Sequence, residues 1–395
     1  MNEWQEVTLQ DVVTILGDGL HGTPKYVDDG EYYFINGNNL RNGKIIVNEL
    51  TRKASVEEYN KFKKDLNERT ILVSINGTLG NIALYNNEKC ILGKSACYFN
   101  VRSDVDKLFI KYVVTNRRFQ KYIDVYAHGT TIKNVSLKTM REYPFSLPLL
   151  PEQRAIAGVL YSLDDKIDLL HRQNETLEAL AQSLFRQWFV EEAQDDWEIG
   201  SLYEAIALVG GGTPKTSEES YWGSEINWLS GSDISANHKS FINVSTKKIT
   251  QEGLDHSSTK LLPRFSTVIT ARGTVGKYCI LAEPMAFSQT NYGIIPKFEN
   301  SFFFTYLLID HSVSELMSAA YGSVFDTITT RTFQEFQINI PSVHEILVFE
   351  EQVNPYFQKM KVNQEQILTL EKIRDTLLPE LISGRVRIKE GKEAD

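Results

Sequence analysis

The sequence predicts an α+β protein in which two pseudo-twofold-related mixed α/β globular domains are joined by two long helices forming an antiparallel coiled coil. Two observations carry this reading: the chain repeats itself at a displacement of 193 residues, and each copy ends in a heptad pattern. Trp4 and Leu9 recur as Trp197 and Leu202, and Ala127-His128-Gly129 as Ala320-Tyr321-Gly322. Pro148 recurs as Pro341, and Thr176-Leu177-Glu178 as Thr369-Leu370-Glu371. Solenoid repeats run to ~20–50 residues, so this period marks two copies of a whole module, globular part plus helix.

The first globular domain is assigned to residues 1–148. Tyr32-Tyr33-Phe34-Ile35 and Thr70-Ile71-Leu72-Val73-Ser74-Ile75 read as strands, each followed by a turn signal, Asn36-Gly37 and Asn76-Gly77. From Leu108 to about Tyr126 the pattern is helical, with Phe109, Tyr112, Val113, Phe119 and Ile123 as its buried face.

Residues 149–194 form the first long helix. Pro151 suits a first helical turn, where its missing N–H is not needed. Ile156, Leu160, Leu163, Ile167, Leu170, Asn174, Leu177, Ala181, Leu184 and Trp188 alternate by four and three, an a/d seam of nearly five heptads. Asn174 at an a position would fix register. A second globular domain spans residues 195–341, and a second helix with the C-terminal tail spans 342–395. The repeat carries the seam onto Phe349, Val353, Tyr356, Met360, Asn363, Ile367, Leu370, Arg374, Leu377 and Leu381. Pro355 is expected to kink this helix or delay its start. Two apolar stripes each need a partner; the other helix is the expected one, with a coiled coil to some other helix or a homodimer as the alternative.

Composition is that of a globular protein, with 42% hydrophobic and 24% charged residues over 395 positions. No apolar run approaches the ~18 residues of a membrane span, and Met1-Asn2-Glu3-Trp4-Gln5-Glu6 lacks a signal-peptide layout. Three cysteines without a C-x-x-C argue against a disulfide framework or a thiolate zinc site and for a cytoplasmic, reduced setting. A net charge of −9 counts against simple coating of nucleic acid. Its distribution is uneven, however. Acids gather at Glu191, Glu192, Asp195, Asp196 and Glu198. Bases gather at Lys61, Lys63 and Lys64, at Arg117, Arg118 and Lys121, and at Lys133, Lys138 and Arg141.

Catalytic signatures fail on inspection. Gly212-Thr213-Pro214-Lys215 has a proline where a phosphate loop needs its Gly-Lys pair. His344-Glu345 begins an H-E-x-x-H pattern that position 348, a valine, breaks. Asn354-Pro355-Tyr356 lacks the second proline of the adenine methyltransferase motif and lies on the heptad seam. Asp164-Asp165 reads as a solvent-facing helix surface. No active site or metal site is predicted.

Polar, glycine-containing loops remain, at matching places in both halves. The first half offers Thr23, Lys25, Asn36, Asn38, Asn39, Arg41, Asn76, Thr78, Asn81 and Lys133. The second offers Thr213, Lys215, Ser230, Ser232, Asp233, Arg272, Thr274, Lys277, Ser288, Gln289 and Asn291. Asn, Gln, Arg and Lys match base edges, while Ser, Thr and Lys suit phosphates. Gly22-Thr23-Pro24-Lys25 matches Gly212-Thr213-Pro214-Lys215 at 190, and Gly77-Thr78-Leu79-Gly80 matches Gly273-Thr274-Val275-Gly276 at 196. Insertions inside a shared scaffold account for the changed displacements.

This layout resembles the specificity subunit of type I restriction–modification enzymes over essentially the whole chain. Leu147-Pro148-Leu149-Leu150-Pro151-Glu152-Gln153 is similar to that family's lead-in to a spacer helix, and Leu377-Leu378-Pro379-Glu380-Leu381-Ile382-Ser383-Gly384 to its C-terminal ending. The second lead-in, Ile340-Pro341-Ser342-Val343-His344-Glu345, departs by lacking Pro-x-Gln. The resemblance implies a non-catalytic subunit that binds bipartite double-stranded DNA, one half-site per recognition domain, with half-sites ~34 Å apart. It implies two methyltransferase subunits, docked on the spacer helices, and restriction (translocase/nuclease) subunits as partners. It places no cofactor in this chain; S-adenosylmethionine, ATP and Mg belong to the partners. The residues alone leave open a two-headed scaffold for proteins or glycans, and an enzyme with its site at the domain junction.

Overall fold

The computed structural model describes residues 4–129, 132–321 and 327–388. Gly322 of the second Ala-Tyr-Gly and Met1, Asn2 and Glu3 of the N-terminal reading lie outside the described residues. The chain divides into two compact units, Met1–Ile167 with Leu370–Asp395, and Asp168–Thr369. Each holds one globular part and a portion of both long helices.

In the first unit the strands are β1 (Gln5–Thr8), β2 (Val13–Asp18), β3 (Tyr32–Ile35), β4 (Leu40–Arg41), β5 (Lys44–Ile45), β6 (Lys53–Ala54), β7 (Thr70–Ser74), β8 (Ile82–Leu84), β9 (Cys90–Leu92), β10 (Ala96–Val101) and β11 (Pro144–Leu147). The helices are α1 (Val56–Phe62), α2 (Lys107–Thr115), α3 (Arg117–Val125), α4 (Leu137–Arg141) and the beginning of α5 (Leu150–Arg186). The sheets run β2-β10-β7-β8, β6-β3-β9, β1-β11 and β4-β5, with β3 parallel to β9. The single helix expected from Leu108 to Tyr126 is two. Asn116 ends α2 and caps α3, its side chain accepting from the Arg118 N–H at 2.9 Å. Its capping bond competes with continuation of the helix. The expected inward face is kept, since Phe109, Tyr112, Val113, Phe119 and Ile123 are all buried.

The second unit repeats this plan. Its strands are β12 (Glu198–Ser201), β13 (Ile206–Gly210), β14 (Trp222–Leu229), β15 (Phe241–Ile242), β16 (Lys247–Ile249), β17 (Thr267–Thr270), β18 (Tyr278–Leu281), β19 (Ala286–Phe287), β20 (Asn291–Pro296) and β21 (Gln337–Ile340). Its helices are α6 (Leu202–Ala205), α7 (Gly231–Ala236), α8 (Gln251–Asp255), α9 (Phe302–Tyr321), α10 (Thr330–Glu335) and most of α11 (Val343–Ile382). Sheets β13-β20-β17-β18, β16-β14-β19 and β12-β21 correspond to β2-β10-β7-β8, β6-β3-β9 and β1-β11, including the parallel pair β14 and β19; the second unit adds β15 to the edge of its main sheet, parallel to β18, where the first has the separate pair β4-β5.

The long helices pack antiparallel within each unit. In the first, Ile156 and Leu160 near the start of α5 share a core with Leu378, Leu381 and Ile382 at the end of α11. In the second, Ala181 and Phe185 of α5 share a core with Phe349, Val353 and Met360 of α11, and Asn363 Nδ2 donates to Asn174 Oδ1 at 2.8 Å. Phe185, Phe189 and Phe357, which the heptad pattern does not select, turn toward α9: Phe303 stacks on Phe357 and Phe304 meets Phe189 edge-on. Each helix therefore carries a stripe for its partner and another for its globular part.

Pro355 neither delays nor interrupts α11, which runs unbroken from Val343. Ser342 and Glu345 form a capping box at its start, with Ser342 N and Oγ donating to Glu345 Oε2 at 3.0 and 2.7 Å. An interior proline costs a helix about 3 kcal/mol. Burial of Phe349, Val353 and Phe357 on either side of it outweighs this, at roughly 1.5–3 kcal/mol for each large apolar side chain.

Asp164 is also corrected. Rather than facing solvent, it accepts from Lys111 Nζ at 2.5 Å, Tyr112 OH at 2.8 Å and Arg374 Nη1 at 3.1 Å. Burial alone would raise its carboxyl, but the neighbouring Lys111, with Tyr112 and Arg374, holds it below the usual carboxylate range. The two units differ sharply here. Helix starts Asp106 and Ser301 are 195 apart, which sets Lys111 against Tyr306; the 193 displacement sets Asp164 against Phe357 and Arg374 against Ala181. An ionic cluster in one unit is aromatic and aliphatic packing in the other, where Tyr306 meets Phe357 edge-on.

Candidate nucleic-acid interface

A turn follows the middle strand of each main sheet, and the two units build it identically. Ser74 and Thr270 are its anchors. Gly80 N donates to Ser74 O at 2.9 Å and Gly276 N to Thr270 O at 3.0 Å. The hydroxyls take the next turn residue: Asn81 N donates to Ser74 Oγ at 2.8 Å and Lys277 N to Thr270 Oγ1 at 2.9 Å. Gly77, Gly80, Gly273 and Gly276 have φ of 78°, 77°, 78° and 80°, a region that side chains with a Cβ rarely enter. The second glycine of each turn is roofed by a helix, by Gln120 of α3 over Gly80 and Met317 of α9 over Gly276.

Other loops close around this turn. In the first unit Gly77 N donates to Lys133 O, Val135 N to Ile75 O, and Ile75 N to Ser95 O, at 2.8–2.9 Å. A cleft of about 230 Å³ opens there, lined by Asp18, His21, Asn76, Lys94, Asn134 and Ser136, among others. In the second unit Ala271 N and Arg272 N donate to Thr290 O at 2.9 and 3.2 Å, and Ile328 N donates to Ala271 O at 3.1 Å. Thr213 Oγ1 bonds to Gln289 Oε1, which ties the Gly-Thr-Pro-Lys loop to the same rim.

The loop residues expected to contact DNA separate into two sets. Many have their polar atoms committed to the fold. Asn36 N donates to Asn39 Oδ1, Asn36 Oδ1 accepts from Ser95 Oγ, and Asn39 Nδ2 donates to Ile46 O, each at 2.9–3.0 Å. Asn81 Nδ2 reaches Gly37 O at 3.5 Å. Ser230 caps α7, and its hydroxyl also meets Ser232 Oγ at 2.8 Å. Asp233 is buried and accepts from Ser230 N and Oγ and Thr246 N and Oγ1 at 2.5–3.0 Å. Burial pushes its carboxyl up, but those bonds hold it below the ordinary range. Asn291 Nδ2 donates to Ser288 Oγ at 2.8 Å, with both residues buried. Lys133 is ion-paired with Asp124.

Thr23, Lys25, Asn38, Arg41, Thr78, Lys215, Arg272 and Thr274 are exposed, Thr213 and Lys277 half-buried. Asn76 is half-buried, with Nδ2 donating to Asn134 Oδ1 at 3.2 Å. Sequence reasoning missed Asp18, His21, Lys94 and Asn134 in the cleft. The signal for Lys94 was present, because Gly93-Lys94-Ser95 precedes β10 as Ser288-Gln289-Thr290 precedes β20, at a displacement of 195.

Two mixed α/β units, each ending in a polar loop rim over a shared sheet plan, describe a protein with two recognition heads. The chain belongs to the type I restriction modification DNA specificity family, whose domain matches it twice, over residues 1–179 and 194–370. It is 24% identical over 391 residues to the type I restriction enzyme MjaIX specificity subunit of Methanocaldococcus jannaschii, covering 93% of this chain and 87% of the relative. It is 22% identical over 470 residues to the HindI specificity subunit of Haemophilus influenzae, covering 98% of this chain and all of the relative. The crystal structure of a type I restriction-modification S subunit from M. genitalium shares the fold, with a TM-score of 0.60, 18% identity and 96% coverage of both chains. Among the described residues no helix is long and apolar enough to cross a membrane.

Proposed function

We propose that this chain is the DNA sequence-recognition subunit of a type I restriction–modification complex, binding a split double-stranded target with one half-site per recognition domain. The observation that carries this is the pair of identically built turns, Asn76–Gly80 and Arg272–Gly276, each inside a stretch matching the DNA specificity domain. A rigid backbone presenting variable polar side chains suits base readout, which needs donors and acceptors held in place.

Under this reading the recognition domains are residues 1–148 and 195–341, and the spacers are 149–194 and 342–395. The spacers govern the unread gap and give two methyltransferase subunits their seats. Restriction subunits complete the assembly. S-adenosylmethionine, ATP and Mg sit on those partners, the chain itself is non-catalytic, and the complex works in the cytoplasm. A net charge of −9 fits a reader whose partners supply much of the positive charge around the duplex.

The test is to co-express the full chain with the type I methyltransferase subunit of its host and to map modified adenines in genomic DNA. A single motif of two short specified parts around a fixed unspecified gap is expected. Methylation without such a motif, or none that depends on this chain, refutes the proposal.

A further inference from the structure

The shared turn keeps its glycines and its anchoring bonds in both units but changes chemistry at two places: its first residue, Asn76 in one and Arg272 in the other, and the residue after its second glycine, Asn81 and Lys277. In the second unit Arg272 is exposed and Lys277 half-buried, which makes the first residue the better placed to meet a ligand. Thr78 and Thr274 repeat, the glycines repeat, and the Ser74 and Thr270 anchors do the same work. The neighbouring hairpin tip behaves alike, with Lys94 in one unit and Gln289 in the other. Both are exposed and both precede the residue, Ser95 or Thr290, whose carbonyl holds the turn. Asn76 and Lys94 line one cleft, and Arg272 N bonds to Thr290 O, beside Gln289.

We infer that these two adjacent positions form the base-reading pair of each head, Asn76 with Lys94 in the first and Arg272 with Gln289 in the second, and that Arg272 reads a guanine. This rests on the DNA-recognition reading above and deepens it. The backbone of Arg272 is fixed from both sides, because Ala271 N and O are both bonded and Gly273 adopts a left-handed turn. Arg272 is nevertheless exposed and forms no ion pair among the described residues. A fixed root under an exposed arginine suits bidentate donation to guanine O6 and N7. Lys94 likewise has no ion-pair partner among the described residues, unlike Lys133 at the same rim. At this turn the heads differ in these side chains and share the backbone that presents them.

The experiment uses the full chain with its methyltransferase and reads methylation motifs together with binding of the mapped duplex at several salt concentrations. The parent motif is expected to hold a guanine in the half read by the second head. Arg272→Gln should relax or change that base, with preference at that position falling 10-fold or more, and leave the other half intact. Arg272→Lys keeps the charge and controls for folding; it should keep overall affinity and lose the preference. Lys94→Gln should alter one position in the opposite half. An unchanged motif in the Arg272 variants, or equal relaxation of both halves, overturns the inference. So does a Lys94→Gln complex with an unchanged motif and only a shallower salt dependence, which would make Lys94 a phosphate contact. These outcomes are distinct from failure of the DNA reading itself, in which the parent shows no split motif.

Discussion

Replacing Asp164 by alanine removes the hub of the only described cluster in which three cationic or hydroxyl partners converge on one carboxylate of a long helix. Lys111 loses its counter-charge while its side chain stays 14% exposed, and Arg374 loses one of its two acids. Burial already holds the Lys111 ammonium below its ordinary range. Breaking a fully buried pair from one side costs ~3–5 kcal/mol. Because the Asp164 side chain is 24% exposed, solvent offsets part of that, and about 2–3 kcal/mol is expected. The second unit supplies the complementary variant. Lys111→Tyr with Asp164→Phe and Arg374→Ala transplants its Tyr306, Phe357 and Ala181, and Glu371 stands where Glu178 accepts from Tyr306 OH at 2.7 Å. Replacing a buried ionic cluster by packed apolar groups is often neutral or stabilising, so the triple variant should return to within about 1 kcal/mol of the parent. Hydrogen exchange of the full chain in denaturant is the assay, because one global midpoint is ill-defined for a two-unit chain. Peptides from α2 and the start of α5 report the change, and α9 is the control. A loss under about 1 kcal/mol for Asp164→Ala, or a triple variant as weak as the single one, refutes the reasoning.

Three further outcomes follow from named contacts. Glu350 accepts from the Phe303 and Phe304 N–H groups at the start of α9, and burial pushes its carboxyl up to about 7 from an ordinary 4.5. A folded value above the unfolded one gives stability that is full below pH 4.5 and lost as pH rises through 7. Glu350→Gln should therefore gain on the parent across that window, by up to about 3 kcal/mol, in hydrogen exchange of α9 peptides taken in denaturant at pH 5 and pH 7.5. Gly276→Ala combines a left-handed φ with a Cβ only 2.4 Å from Met317 Sδ, whereas Gly273→Ala meets open space. Hydrogen exchange of β17 and α9 peptides in denaturant should show both destabilised by ~1–2 kcal/mol for the backbone, with Gly276→Ala worse by about 1 kcal/mol. Asn363 is fully buried and its Oδ1 has no partner. Replacing both Asn174 and Asn363 by leucine should stabilise the second unit by ~1–2 kcal/mol, while Asn363→Leu alone strands Asn174 Oδ1 and gains nothing.

The repeat, the mixed α/β class and the two long helices were legible because they rest on periodicity, which each stretch of chain carries within itself. Asn116 and Ser342 show the limits of that reading. Both are local capping signals, yet the expected helix ran through the first, and Pro355 drew attention from the second. The polar loops were legible as a set, but not in their roles. Asp233 and Arg272 look equally fit for recognition in sequence; one is spent on four internal hydrogen bonds and the other is exposed.

The sequence by itself determined the duplicated plan, the stripes that pair the helices and the placement of glycines where the turns bend. Only the tertiary structure decided that Asp164 is a half-buried hub, that Lys94 stands beside Asn76, and which of the described polar residues stay exposed. Periodic burial needs only the order of residues along one segment. The state of a polar group depends on what distant segments bring within about 3 Å of it, and no single stretch of sequence contains that.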